Sequence, residues 1–265
     1  MLRSGPKNAR RILVVVSRDG VLRGDADVAA VAALMGEAAR ASVLVALAGG
    51  RALAASTLAA EAGVAPSTLS GHLARLVDGG LVTVEASGRH RYFRLAGPEV
   101  AEAVEALARL APSRPVRSLR QASHAEAVRR ARTCYDHLAG RLGVAVLDAL
   151  VASGTLRAES DPTGGADPIL GAGRARRYLL TDTGRAHLDR LGMSLECAGR
   201  RPLTRYCLDW SEQRPHLAGA LGAALLDRFV ARGWVIRGER RVVRVSEAGR
   251  AGLVRDLGVD PAAVA

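Results

Sequence analysis

Lysine is almost missing from this 265-residue chain: Lys7 stands alone among 38 lysines and arginines. A GC-rich coding sequence produces that bias without functional demand, so it excludes little. Other shortages exclude more. Three cysteines at no framework spacing argue against a disulfide-stapled secreted fold and lead us to expect a reducing, cytoplasmic compartment. No apolar run approaches the ~20 residues that span a bilayer. The short run RILVVV at Arg11–Val16 has too few apolar residues, and no small-residue cleavage site, for a signal peptide. Phosphate-cradling glycine loops, HExxH and GxSxG are missing too. Asp136 and His137 are sequence neighbours and not an arranged dyad, so no enzymatic activity is expected.

What is present is positive charge. The formal net charge is +12, which fits a polyanionic partner. Residues 1–117 carry 15 cationic against 10 anionic side chains, and residues 118–265 carry 23 against 16. The excess therefore singles out neither half. The length suits two domains with substantial cores.

The most informative stretch is Ser56–Arg94, STLAAEAGVAPSTLSGHLARLVDGGLVTVEASGRHRYFR. Ser56 is placed to cap a short helix through Ala62, Gly63 breaks it, and Val64 is the apolar plug of a helix-turn-helix. Pro66 suits the first position of a second helix, on which Leu69, Leu73 and Leu76 form an apolar stripe. Ser67, Gly71, Ala74 and Arg75 point the opposite way, flanked by Thr68 and Ser70. Such a small, polar face can lie along a major-groove floor. His72 sits about 60° from the leucine stripe, so it suits either bracing or DNA contact. Gly79-Gly80 ends the helix, and strands at Leu81–Glu85 and Arg91–Arg94 flank a turn, Ser87-Gly88-Arg89-His90, whose charge suits phosphate or minor-groove contact.

Helix, turn, helix and basic wing in this order resemble the ArsR-type transcriptional regulators. GVAPSTLSGHLARLVDGGLV and VTVEASGRHRYFRL carry the likeness, with MGEAARASVLVALAGG where that family has its second helix. The resemblance covers roughly Asp25 to Leu110. It implies sequence-specific binding to double-stranded DNA, with Ser67, Thr68, Ser70, Gly71, His72, Arg75, Arg89 and Arg91 as contacts. It also implies a homodimer, in which the first and last helices pack against a twin. Winged helices also serve as protein-interaction modules, which leaves an adaptor as the alternative. Metal-sensing members often carry cysteines where this chain has Leu53–Leu58, or Asp/His sites on the last helix. The first stretch has no cysteine here, and Pro98–Leu110 has no histidine.

The expected fold is mainly α with short β (α+β): a winged helix-turn-helix followed by a duplicated helix-strand-strand-helix domain. Residues 1–24 read as a disordered extension, 25–110 as the winged domain, 111–117 as a Pro-rich linker and 118–265 as a sensor. In the winged part, Asp25 is placed to cap a helix through Leu34, a second helix follows at Ala38–Leu47, and Val100, Val104, Leu107 and Leu110 line the helix opened by Pro98. A long helix is expected over about Gln121–Ala139. HLAGRLGVAVLDALVASG from His137 is matched by HLAGALGAALLDRFVARG from His216, so repeats run over about 134–192 and 207–258. Leu142, Val146 and Leu150, and Leu221, Leu225 and Phe229, give each copy a face to bury. The Gly/Pro/Asp-rich Glu159–Arg177 reads as a loop.

Within the repeat, Thr133-Cys-Tyr-Asp-His137 answers Tyr206-Cys-Leu-Asp-Trp210. Cys134, His137, Cys207 and His216 are the candidate ligands, since thiolate and imidazole take metal ions or haem iron and a thiolate also responds to redox. Cys134 and His137 are placed three apart on one helical face. The inserted Ser211–Pro215 speaks for a two- or three-residue site or a thiol switch, and buried structural roles are the alternative. Cys197 has no counterpart.

Overall fold

Asp27 starts the first helix, α1 (Val28–Met35), by accepting the Ala30 N–H at 3.0 Å. It does so in place of Asp25 because it stands directly before the helix. The computed structural model describes residues 25–88, 90–113, 115–160, 176–193 and 201–264; the expected disordered extension over 1–24 lies outside them. Gly36 interrupts the chain before α2 (Ala38–Leu47). The elbow is locked from both sides. Glu37 caps α2, and Arg40 donates to the Ala33 and Leu34 carbonyls at 2.7 and 2.6 Å.

Next come β1 (Leu53–Ala54), α3 (Ala55–Ala62), α4 (Pro66–Asp78), β2 (Val82–Ser87), β3 (His90–Leu95) and α5 (Pro98–Leu110). β1 pairs with Phe93 and Tyr92 of β3, so the chain passes straight from strand to helix. Ala54, with no side-chain bond, therefore occupies the cap position expected for Ser56. The sheet order β1-β3-β2 completes a winged helix-turn-helix. Leu58, Leu69, Leu73, Leu76, Phe93 and Leu95 share its core with Val43, Leu44 and Leu47 of α2. Val104 belongs to that core as well, and Val100 packs against it; only Leu107 and Leu110 of the expected α5 stripe are exposed.

The expected long helix divides. α6 (Leu119–Arg130) stops early, and β4 (Arg132–Cys134) and β5 (His137–Ala139) form a hairpin. Tertiary contacts override the helical spacing. Tyr135 turns at φ +57°, its N–H bonds the Ala48 carbonyl at 2.6 Å, and the Thr133 N–H bonds the Arg241 carbonyl at 2.9 Å. Then follow α7 (Gly140–Ala152), β6 (Leu156–Ser160), β7 (Arg176–Leu180) and α8 (Asp182–Arg190). Residues 161–175 of the expected loop are not among those described.

The same element order runs a second time: β8 (Arg205–Leu208), β9 (Pro215–Ala218), α9 (Gly219–Ala231), β10 (Val235–Arg237), β11 (Val243–Val245) and α10 (Glu247–Leu257), before a short α11 (Pro261–Val264). Each pass thus opens with a hairpin, which the expected helix-strand-strand-helix unit lacked. Thr181 and Ser246 cap α8 and α10 identically, each accepting the N–H three residues on at 2.9 Å. The two passes interlock, with α7 packed on β9 and α9 on β5. Leu142, Val146, Leu150, Leu221, Leu225 and Phe229 all enter one core. Among the described residues no single helix is long and apolar enough to cross a membrane.

Gly50 marks where the winged helix meets the first hairpin. Its φ is +75°, and a Cβ there would overlap the Tyr135 carbonyl. Gly63 shares the left-handed backbone (φ +66°) but faces open space. Gly63→Ala should therefore lose only the ~1–2 kcal/mol of left-handed strain, and Gly50→Ala clearly more. Equal losses in denaturant unfolding would show that the Tyr135 turn yields freely.

Candidate functional site

Pro66 at the first turn and Gly79 at the end fix α4, whose leucines anchor one face. The other face presents Ser67, Thr68, Ser70, Gly71, Ala74 and Arg75 to solvent. His72 departs from them. It is half-buried, with Nδ1 3.3 Å from the Glu37 carboxylate, so it braces α4 against the start of α2. At the wing Arg91 is exposed while Arg94 pairs with Glu85 at 3.1 Å. Arg89 lies outside the described residues, as does Cys197. The geometry is a polar helix face flanked by a cationic strand end, suited to a groove and its phosphates.

The second site is internal. In both hairpins a cysteine and a histidine are direct cross-strand partners, Cys134 with His137 and Cys207 with His216. Residues so opposed project to the same face of the pair, Cβ atoms ~5 Å apart. The insertion at Ser211–Pro215 falls almost wholly in the turn before β9, so the register is the same in both hairpins and the expected asymmetry does not arise. The hairpins meet face to face. Cys134 Sγ and Cys207 Sγ are 3.9 Å apart, the His137 and His216 Nε2 atoms are 3.2 Å apart, and no pair of the four ligand atoms exceeds 4.8 Å. All four residues are buried. The adjoining space, about 20 Å³, is lined by Cys134, His137 and Cys207 among others. It suits one small body and is far too small for the haem considered from sequence.

Glycine makes this approach possible. A Cβ on Gly143 would stand 2.5 Å from the Leu138 carbonyl oxygen and 3.5 Å from His216 Cβ; on Gly222 it would stand 2.5 Å from the Leu217 carbonyl oxygen and 3.2 Å from His137 Cβ. Each glycine belongs to one HLAGxLG segment and makes room for the other segment's histidine.

Carboxylates stand behind both rings. Asp136 Oδ1 is 3.3 Å from His137 Nδ1 and is clamped by Arg201. Asp209 Oδ2 lies 3.7 Å from His216 Nδ1 and accepts the Gly140 N–H at 2.6 Å. Burial alone would raise both carboxyls. The His137 and Arg201 hydrogen bonds hold Asp136 at about 2, and Arg132 and His216 hold Asp209 at about 2. The hydrogen bond to Cys207, together with burial, pushes the Cys134 thiol up to about 12. Burial opposes charge on His137, but Cys134 and Asp136 outweigh it and raise its pKa.

From here charge leads to the winged helix. Arg132, fully buried, joins Asp209 at 3.0 Å to Glu105 of α5 at 3.1 Å, and Arg241 closes on the other Glu105 oxygen. Burial works against the Glu105 charge, yet Arg241 and Arg132 hold its carboxyl below the usual range. Glu102, one turn earlier on α5, meets Arg205 of β8 at 2.8 Å.

The helix-turn-helix domain family matches residues 35–85. An uncharacterised HTH-type transcriptional regulator of Bacillus subtilis (strain 168), YdfF, is 36% identical over 236 residues, covering 88% of this chain and 98% of the relative. Similarity of that span includes the C-terminal half. The chain belongs to the HTH-type transcriptional regulators. Reduced HlyU from Vibrio cholerae N16961 is 27% identical, with 32% of this chain and 88% of that one covered and a TM-score of 0.30. A homodimeric winged helix-turn-helix domain from Mycobacterium bovis is 32% identical over 33% of this chain and 86% of that one, with a TM-score of 0.29. The assignment rests on the full-length relative.

This regulator binds DNA and controls transcription. Sequence reasoning missed Glu105, Arg132 and Arg241, because an apolar stripe on α5 hides a glutamate that turns inward. It met Asp136 and Asp209 only as a repeated Cys-x-Asp element, whose spacing is the signal for a carboxylate behind each histidine.

Proposed function

We propose that the regulator works as an ArsR-type homodimer whose duplicated C-terminal half senses an effector at Cys134, His137, Cys207 and His216. The observation that carries the reading is the convergence of those four side chains where the first hairpin docks on the winged helix. The Tyr135 turn touches the end of α2, and Arg132 holds Glu105 of α5. A change at the cluster thus has a packed, charged route to the DNA-binding elements. Thiolate and imidazole chemistry makes the effector a metal ion or a redox signal. The 3.9 Å sulfur separation favours a disulfide as the second reading. Dimerisation is supported by apolar surface on the two helices that the family resemblance names: Val28 and Val31 of α1, and Leu107 and Leu110 of α5. A two-fold assembly presents two recognition helices to a palindromic operator, which one α4 lacks the reach to specify.

For DNA contact, Arg75→Ala should cost ~1–3 kcal/mol and relax base preference, whereas Arg89→Ala with Arg91→Ala should weaken all sequences alike and flatten the salt slope. Unchanged affinity of both variants in mobility shifts with a genomic operator would remove α4 and the wing as the contact face. Val104 is internal, so association is better tested at the exposed positions: Val28→Asp with Leu110→Asp should sediment as a folded monomer with at least tenfold weaker operator binding. A wild-type protein already monomeric at micromolar concentration would contradict the dimer. For sensing, Cys134→Ser with Cys207→Ser should keep operator affinity but no longer respond to added zinc or to a mild thiol oxidant. A full response in that variant would move the sensor elsewhere.

A further inference from the structure

We infer that Cys134, Cys207, His137 and His216 form a closed four-coordinate site for a divalent, zinc-class metal ion, oriented by Asp136 and Asp209. The inference rests on the reading of this cluster as the effector site and says which effector it takes. Three observations carry it.

The first is the shape of the donor set. Zinc binds thiolate sulfur at ~2.3 Å and imidazole nitrogen at ~2.0–2.1 Å in a tetrahedron. Those bond lengths require sulfurs about 3.8 Å apart and nitrogens about 3.3 Å apart. The protein holds its sulfurs at 3.9 Å and its Nε2 atoms at 3.2 Å. The sulfur–nitrogen separations stay within 4.8 Å, so closing on an ion needs movements of about an ångström or less on the same bond-length scale. A disulfide would account for the sulfurs alone and leave the Nε2 atoms to share a single N–H···N hydrogen bond, whereas a metal ion uses all four donor atoms at once.

The second is the pair of carboxylates. A metal-ligating histidine usually turns its other ring nitrogen to a carboxylate, which fixes the tautomer and raises the ligand's basicity. Here both histidines meet at Nε2, and Asp136 hydrogen-bonds His137 Nδ1 at 3.3 Å. Asp209 faces His216 Nδ1 at 3.7 Å, near but longer than a hydrogen bond, and that buried nitrogen has no other partner among the described residues. Asp136 is fixed by Arg201, and Asp209 by Arg132 and the Gly140 N–H. These aspartates are positioning residues.

Charge is the third. Asp136 is matched by Arg201, and Asp209 and Glu105 by Arg132 and Arg241. The surroundings are balanced before the ligands are considered, and buried net charge is costly. Two thiolates with one divalent ion are neutral, whereas a monovalent ion would leave a buried negative charge. On binding, two S–H bonds break and a protonated His137 also gives up its Nε2 proton; two sulfur–metal and two nitrogen–metal bonds form, and all the displaced protons go to solvent. Four protein donors fill the tetrahedron, so the site holds its ion for structure or signal, with no open position for catalysis.

Cobalt(II) added to chelator-stripped, reduced, full-length protein tests the assignment. One equivalent should give the intense visible bands of tetrahedral cobalt with thiolate-to-cobalt charge transfer, and zinc should displace it. Charge transfer should fall in Cys134→Ser and in Cys207→Ser. Asp209→Asn and Asp136→Asn should keep the native circular dichroism but weaken cobalt binding by 10–100-fold. If the serine variants do not fold, the aspartate variants and the metal content of the wild type, expected near one zinc per chain, decide. A weak octahedral spectrum, bands that survive loss of both cysteines, or a metal-free wild type in which the two sulfurs form a disulfide would each overturn the site. Tight tetrahedral binding with unaltered operator affinity upholds the site and removes the sensing reading instead.

Discussion

A carboxylate with no exposed surface needs more than one partner, and Glu105 has two guanidinium groups, from Arg132 and Arg241, each on a different pass of the C-terminal half. Breaking a buried pair by removing one member leaves uncompensated charge and costs ~3–5 kcal/mol. Satisfying this one group ties the winged helix to both passes of the C-terminal half. Glu105 of α5 reaches the first hairpin through Arg132 and Glu102 reaches the second through Arg205, while Arg241, between β10 and β11, bonds both Glu105 and the Thr133 N–H of the first hairpin. The same Arg132 then holds Asp209, which stands behind His216.

The cluster and the DNA-binding fold are therefore mechanically close despite their separation in sequence. Only Arg132 stands between Glu105 and the aspartate behind His216. The Tyr135 turn, between Cys134 and His137, bonds directly to the end of α2. Rigid helices transmit such displacements well because packed interiors yield little. α5 also presents Leu107 and Leu110 to solvent, so the helix that receives the charge network is the one proposed to meet a second copy.

Interlocking explains how two hairpins with different turns reach equivalent positions. Each histidine is approached by a helix from the other pass, and Gly143 and Gly222 provide the room. A hairpin alone is marginal in water. Here the pair is held by the core that α7 and α9 share, which keeps Cys134, His137, Cys207 and His216 together.

The winged helix-turn-helix was legible in the sequence because its determinants are local. Leu69, Leu73 and Leu76 mark a buried face by spacing, Pro66 and Gly79 bound α4, and alternation marks the wing. The matched HLAG segments were visible for the same reason, and identical neighbours drew attention to Cys134, His137, Cys207 and His216. Their geometry was not. Cys134 and His137, three apart, suit a helix face as well as a hairpin, and long-range bonds, among them Tyr135's to Ala48, Thr133's to Arg241 and Arg132's to Glu105, go with the strand form. Local spacing reports which side of an element is apolar. It carries no information about a glutamate whose partners lie 27 and 136 residues away, and such long-range pairing of buried charge was decided by the tertiary structure alone.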